Sequence, residues 1–239
     1  IQYDYDLNGQ TITLPAGCVL EFDGGSIGNG TITGNNTLIQ GRTDLSGVTL
    51  SGSFANKSFS LYDAGCTPND SSAASDNATR ILSIIRSLEN IKIMLIVPDG
   101  SWYFDTPIIM SGSFDFICEG KLLYAPDDNN INSTALTIGT SQSMFNSRKL
   151  KIRIWQITSY NFTNSEIPDN IGVKIINPRV TEIEVVEALQ FVYDLVVVGT
   201  SLGCSYNTFY LGNLGYGDCY SAINFVAEGN NGWINENLV

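Results

Sequence analysis

Histidine is absent from all 239 residues of the chain. That absence removes Ser-His-Asp and Cys-His nucleophile systems, histidine-ligated zinc and imidazole acid–base chemistry. Any catalysis would have to run on carboxylates, Tyr, Lys, Arg or an oxygen-ligated metal. Charge is also scarce: Asp, Glu, Lys and Arg make up 15% of the chain, against about a quarter in a typical soluble domain. Basic charge is scarcer still, with 12 Lys and Arg against 24 Asp and Glu and a net charge of -12. A phosphate backbone would be repelled over most of such a surface, so no nucleic-acid partner is expected. The five cysteines, Cys18, Cys66, Cys118, Cys204 and Cys219, never form a CxxC pair, which excludes a zinc ribbon or a dithiol redox motif. They read as small buried hydrophobes. No apolar run is long enough for a membrane span, so no membrane insertion is expected, and no metal or other cofactor site is legible. The opening Ile1-Gln2-Tyr3-Asp4 reads as a trimmed or processed start.

What the chain does contain is apolar and glycine-rich, with 43% hydrophobic residues and 23 glycines. That is enough material for one large domain or two small ones around a substantial core. Short alternating apolar runs recur through the first part, at Thr11–Leu14, Val19–Phe22, Thr31–Thr33, Leu38–Ile39 and Val48–Leu50. Each predicts a short strand. Pro15-Ala16-Gly17, Asp23-Gly24-Gly25, Gly28-Asn29-Gly30 and Gly34-Asn35-Asn36 separate them as turns, because Gly and Asn accept positive φ. One helix is predicted near 75–90, where Ile81, Ile84, Ile85 and Leu88 recur at helical spacing, Ser75-Asp76 caps the start and Arg86 suits the end. Its expected role is to cover an open end of a β core.

From residue 91 onward strands resume and become more apolar, among them Phe114–Cys118, Leu150–Ile157, Ile183–Val186, Leu195–Val198 and Ile223–Val226. Strand after strand with one early helix predicts an all-β architecture, a sandwich or a parallel β-solenoid.

The segment Leu61-Tyr62-Asp63-Ala64-Gly65, then Asn69-Asp70, the helix, Ile96-Val97-Pro98-Asp99-Gly100-Ser101-Trp102-Tyr103-Phe104 and Glu119-Gly120-Lys121-Leu122 carries a family resemblance. In order and spacing it resembles the opening of right-handed parallel β-helix proteins of the pectate-lyase-like superfamily. It departs from them at Thr67–Ser72, which lacks the family's acidic doublet. The runs Leu7–Cys18, Phe22–Ser26 and Gly30–Thr37 are similar to segments that precede β-helices in proteins of Bacteroides and their phages, including crAss-like phages. Gly232-Trp233-Ile234-Asn235-Glu236-Asn237 resembles a run found inside such domains.

The resemblance implies a right-handed parallel β-helix with an N-terminal capping helix. Residues 1–60 would form Gly/Asn-rich short-strand coils, and 61–239 the β-helix proper, stopping at Val239 in mid-pattern with further coils or a partner subunit expected beyond. It also implies an extracellular place, on a virion tail or a bacterial surface, a homotrimer as in tail spikes, and a surface polysaccharide or glycan as partner.

The polygalacturonase signature is not present, and its nearest trace, Asp127-Asp128, reads as a solvated turn. Lys151-Ile152-Arg153 presents two bases on one strand face that could meet an acidic sugar. Glu182 and Glu184 are the candidate catalytic pair, because residues two apart on a strand project from one face roughly 6 to 7 Å apart, near the separations glycosidases use. Glu187 and Asp194 are candidates for the same face. The candidate glycan-binding residues are the late aromatics Tyr206, Tyr210, Tyr216, Tyr220 and Trp233, interleaved with Asn207, Asn213 and Asn224. Two readings stay open: a glycan-recognising or structural β-helix segment, and a polysaccharide lyase or glycoside hydrolase working with outer-face carboxylates.

Overall fold

The computed structural model of the chain describes residues 1–45, 47–111, 114–126, 133–146, 150–160, 170–216 and 219–239, the side chains of 145, 146 and 216 excepted. It is built mainly of strands with one α-helix. Among the described residues every strand-to-strand pairing is parallel. Parallel sheets need crossover connections and bury their faces, which the chain achieves by passing from one sheet to another rather than by hairpins.

Three sheets dominate: one of seven strands, one of five and one of four very short strands. From Phe116 the chain visits them in strict rotation. Phe116–Tyr124 lies in the seven-stranded sheet, Thr134–Ile138 in the five-stranded and Phe145–Asn146 in the four-stranded. The same order repeats through Lys151–Ser159, Ile171–Ile176 and Pro178–Arg179, then Glu182–Leu189, Tyr193–Gly199 and Cys204–Ser205, then Thr208–Tyr216, Ser221–Ala227 and Ile234–Asn235.

Alternation along each strand sends one side chain in two to a shared interior. Ile152, Ile154, Ile183 and Val185 from one sheet meet Val173, Ile175, Leu195 and Val197 from another, all at most 2% exposed. Register keeps like with like, with Ile152 opposite Ile183 and Ile183 opposite Phe209. In the last circuit the inward positions Ile223 and Phe225 follow Leu195 and Val197 in register, and Phe225 is 38% exposed.

Pro98-Asp99-Gly100 turns Met94–Val97 into Ser101–Phe104, and both strands pair with Phe116–Tyr124. The bulge between Cys118 and Lys121 that accommodates them places Gly120 so that a β-carbon there would lie 2.2 Å from the Pro98 carbonyl oxygen. Only glycine fits that approach.

The helix spans Ala74–Leu88, preceded by a 3-10 turn at Ser71–Ala73. Ser75-Asp76 does not cap it: the α-helix starts after Ala73 with no side-chain cap, and Asp70 caps the 3-10 turn, its carboxylate accepting from the Ser72 amide at 2.9 Å and from the Ser72 hydroxyl at 2.6 Å. The 3-10 turn moves the start upstream of the predicted cap. Asp76 instead pairs with Arg80 one turn on, at 2.8 Å. Ile81, Ile84, Ile85 and Leu88 are buried. The helix packs against Val48–Phe54 on one flank, where Ser87 Oγ donates to the Val48 carbonyl at 2.9 Å, and against Ser101–Phe104 and Ile108–Met110 on the other. It therefore lies between the N-terminal strand Val48–Phe54 and the first strands of the seven- and five-stranded sheets.

The N-terminal strands form a separate four-stranded parallel sheet and a two-stranded one. Here Gly34-Asn35-Asn36 divides the run that pairs with Thr11–Thr13 from the run that pairs with Val19–Phe22, as a corner would, but without ending the strand. It is an irregularity inside one long strand, Gly30–Gly41, where the register with Val48–Phe54 shifts between Gly34 and Thr37 and Asn36 takes φ 52°. Cys66, Cys118 and Cys204 are buried, while Cys18 and Cys219 are half-buried, and all five are unbridged. Burial pushes the thiols of Cys66 and Cys118 up to about 12.

Candidate functional site

The outer face of the seven-stranded sheet gathers the most chemistry. Strands Lys151–Ser159, Glu182–Leu189 and Thr208–Tyr216 lie side by side, and the residues between the buried Ile and Val positions point outward. In one row Lys151 is opposite Glu182 and Glu182 opposite Thr208. In the next, Ile117, Arg153, Glu184 and Tyr210 are aligned across four strands. The two predicted bases thus meet the two predicted acids: Lys151 Nζ is 3.7 Å from Glu182 Oε2, and Arg153 Nε is 3.2 Å from Glu184 Oε2. A groove of about 200 Å³ runs over them, with Ile117 at one side and Tyr210 at the other.

The third row adds Trp155, which is not among the candidates named from the sequence. It stands two residues beyond Arg153 on the same face, 43% exposed. The flanking pairs Ile154–Val185 and Gln156–Glu187, then Val185–Leu211 and Glu187–Asn213, align it with Val186 and Gly212. In Lys151-Ile152-Arg153-Ile154-Trp155 the period-two pattern already sets Trp155 beside the two bases.

The late aromatics do not form one cluster. Tyr210 lies in the groove, 56% exposed. Tyr206 sits at the corner between the four-stranded and seven-stranded sheets in a left-handed conformation, φ 57°, and its hydroxyl is held above the usual phenol range by its hydrogen bond to Glu236. Tyr220 precedes the strand Ser221–Ala227 and is stacked edge-on to Tyr193, with ring centres 5.7 Å apart. Trp233 lies over Gly203 at another corner, so close that a β-carbon on Gly203 would be 2.0 Å from the indole ring. Tyr216 closes its strand opposite Leu189, and its side chain is outside the described residues, as are Asp127 and Asp128.

Asp194 does not share a face with Glu187. It is fully buried in the five-stranded sheet, whereas Glu187 belongs to the seven-stranded one. Burial pushes the Asp194 carboxyl up to about 6, partly offset by the hydrogen bond that Gly215 N–H donates to Oδ2. Its position inside the protein removes it from reach of a polymeric substrate.

Among the described residues no group of three or more Cys, Asp or Glu is arranged to hold a metal ion, and no helix is long and apolar enough to cross a membrane. Comparison with models of protein families, with curated proteins and with solved structures found no match.

Chemically, the face offers two paired carboxylates, two paired cations and two exposed aromatic rings. Such a set can hydrogen-bond hydroxyls and stack against the apolar side of a sugar ring.

Proposed function

We propose that this chain is a right-handed parallel β-helix whose outer face recognises a surface glycan without cleaving it, as part of a phage tail spike or fibre or of a bacterial surface protein. The rotation through three parallel sheets supports the β-helix, since such a path winds around a single interior. Crossovers between parallel strands are right-handed almost without exception. The pectate-lyase-like pattern around Pro98-Asp99-Gly100 and the helix adds to this reading.

The observation that carries recognition over cleavage is the pairing of both candidate carboxylates, Glu182 with Lys151 and Glu184 with Arg153. A glycosidase sets one carboxyl as acid and the other as base or nucleophile through unlike surroundings. Glu182 and Glu184 instead stand two residues apart on one exposed strand face with like partners. The same resemblance extends the proposal to an extracellular setting and a homotrimer, whose mass light scattering would read directly.

The test is release of reducing ends, or of ultraviolet-absorbing unsaturated sugars, from a panel of bacterial capsular and plant polysaccharides. Retained binding with no release is expected. Release that Glu182→Gln or Glu184→Gln abolishes would make the chain a hydrolase or lyase, and neither binding nor release would leave a structural segment.

A further inference from the structure

We infer that the glycan held on this face is an uncharged one, and that a pyranose ring lies in the basin between Trp155 and Tyr210; the inference rests on the glycan reading above. Arg153, Glu184 and Tyr210 form one row, and Trp155, Val186 and Gly212 the row beside it. Strand spacing and rise place the two aromatic residues at opposite corners of a patch about 10 Å by about 7 Å. A β-carbon on Gly212 would meet the Val186 carbonyl oxygen at 2.4 Å, so the two strands close up between the corners and only the short, half-buried Val186 side chain stands there. The Arg153–Glu184 ion pair, 3.2 Å apart without a hydrogen bond from Arg153 Nε, closes the third side with a planar guanidinium and a planar carboxylate. An aromatic wall, an apolar floor and a planar polar edge match a sugar ring, which is apolar on one side and ringed by hydroxyls.

Charge decides between sugar classes. Arg153, at the edge of the basin, and Lys151, one row beyond it, stand 3.2 and 3.7 Å from carboxylates without forming hydrogen bonds to them, so a uronate would meet two charges that Glu184 and Glu182 already offset. On the neighbouring strand Phe116–Tyr124, the exposed Glu119 and Lys121 are of opposite sign and cancel. Glu187 is aligned with the uncharged Gln156 and Asn213 and has no ion-pair partner among the described residues. That leaves a net negative contribution on the face of a chain whose overall charge is -12. An acidic polymer would be repelled and would have to break existing pairs; a neutral one keeps them.

The experiment is affinity electrophoresis of the full chain through gels holding a panel of neutral hexose polymers or, separately, polygalacturonate. A neutral polymer is expected to retard the protein, with little dependence on salt, and polygalacturonate is not. Trp155→Ala and Tyr210→Ala should each weaken retardation about tenfold or more, Trp155→Phe should keep most of it, and Val186→Arg, which fills the floor, should abolish it while circular dichroism shows the fold retained. Salt-sensitive binding of polygalacturonate in place of the neutral polymers would overturn the inference and leave the glycan reading standing. Neutral binding that survives the Trp155 and Tyr210 changes would overturn the site alone. Failure of every polymer to bind would overturn both.

Discussion

The N-terminal strands and the three-sheet body solve the same problem, turning a parallel strand sharply, with different residues. Among the described residues of the N-terminal strands, positive φ falls only on glycine and asparagine: Asn29 and Asn36 take it, and Gly52 has φ +80° with a β-carbon there 2.2 Å from the Gly34 carbonyl oxygen. In the body, corners at Val180, Tyr206 and Glu236 take positive φ with full side chains. Buried amides brace them. Asn207 Oδ1 accepts from the Thr181 amide at 3.1 Å, and its Nδ2 donates to the Pro178 carbonyl at 2.9 Å and to Asn237 Oδ1 at 2.8 Å. Glycine avoids strain, and the N-terminal strands are tied instead by Asn56, whose Oδ1 accepts from the Ile39 amide at 2.9 Å and whose Nδ2 donates to the Ile39 carbonyl at 2.7 Å. An amide ladder accepts backbone strain and offsets it by satisfying buried groups on successive circuits.

Because the ladder ties circuits together, Asn207→Ala should be the costliest single substitution. It strands the Thr181 amide and the Pro178 carbonyl, and about 3 kcal/mol of stability should be lost in denaturant unfolding. A loss no larger than that of an exposed Asn would erase the contrast between the two regions. Next comes Asp194, whose folded value of about 6 lies above its ordinary 3.8. A raised carboxyl favours the folded state while protonated, so its contribution is full below about pH 4 and should fall by about 2–3 kcal/mol as pH rises through 6. Asp194→Asn should flatten that dependence and be the more stable protein at pH 7, which thermal melts across pH would record.

Gly52→Ala should cost about 2–3 kcal/mol in the same unfolding assay, about 1–2 from left-handed strain and the rest from the Gly34 contact. Val180→Asn should go the other way and add about 1 kcal/mol, because Asn tolerates φ 52° better than a β-branched residue does. A destabilising Val180→Asn would mean that the Val side chain, 39% exposed, contributes more than its strain. Smallest is Glu182→Gln, which breaks an exposed pair and should change stability by less than about 0.5 kcal/mol.

Much of the strand pattern is legible in the sequence because the body obeys alternation closely: Ile183 and Val185 are buried, and Glu182 and Glu184 project outward, as their spacing requires. The helix is legible from a different period, the helical spacing of Ile81, Ile84, Ile85 and Leu88, all buried. Its start is not, because Asp70 caps a 3-10 turn that has no apolar periodicity of its own. The continuity of the long strand Gly30–Gly41 is hidden because Gly and Asn signal a turn and a bulge alike. Pairing between circuits is not legible either, since it depends on the lengths of intervening loops, and this decides the site. It brings Arg153 to Glu184 and Tyr210, carries Asp194 to a different sheet from Glu187, and scatters Tyr206, Tyr220 and Trp233 over separate corners.

Hydroxyl-radical footprinting of the chain, with and without the neutral polysaccharide that retards it, would locate recognition on the surface. Loss of oxidation is predicted at Trp155 and Tyr210, with Tyr220 and Trp233 unchanged. Protection of Tyr220 and Trp233 with Trp155 and Tyr210 still oxidised would contradict the site and move recognition away from the seven-stranded face.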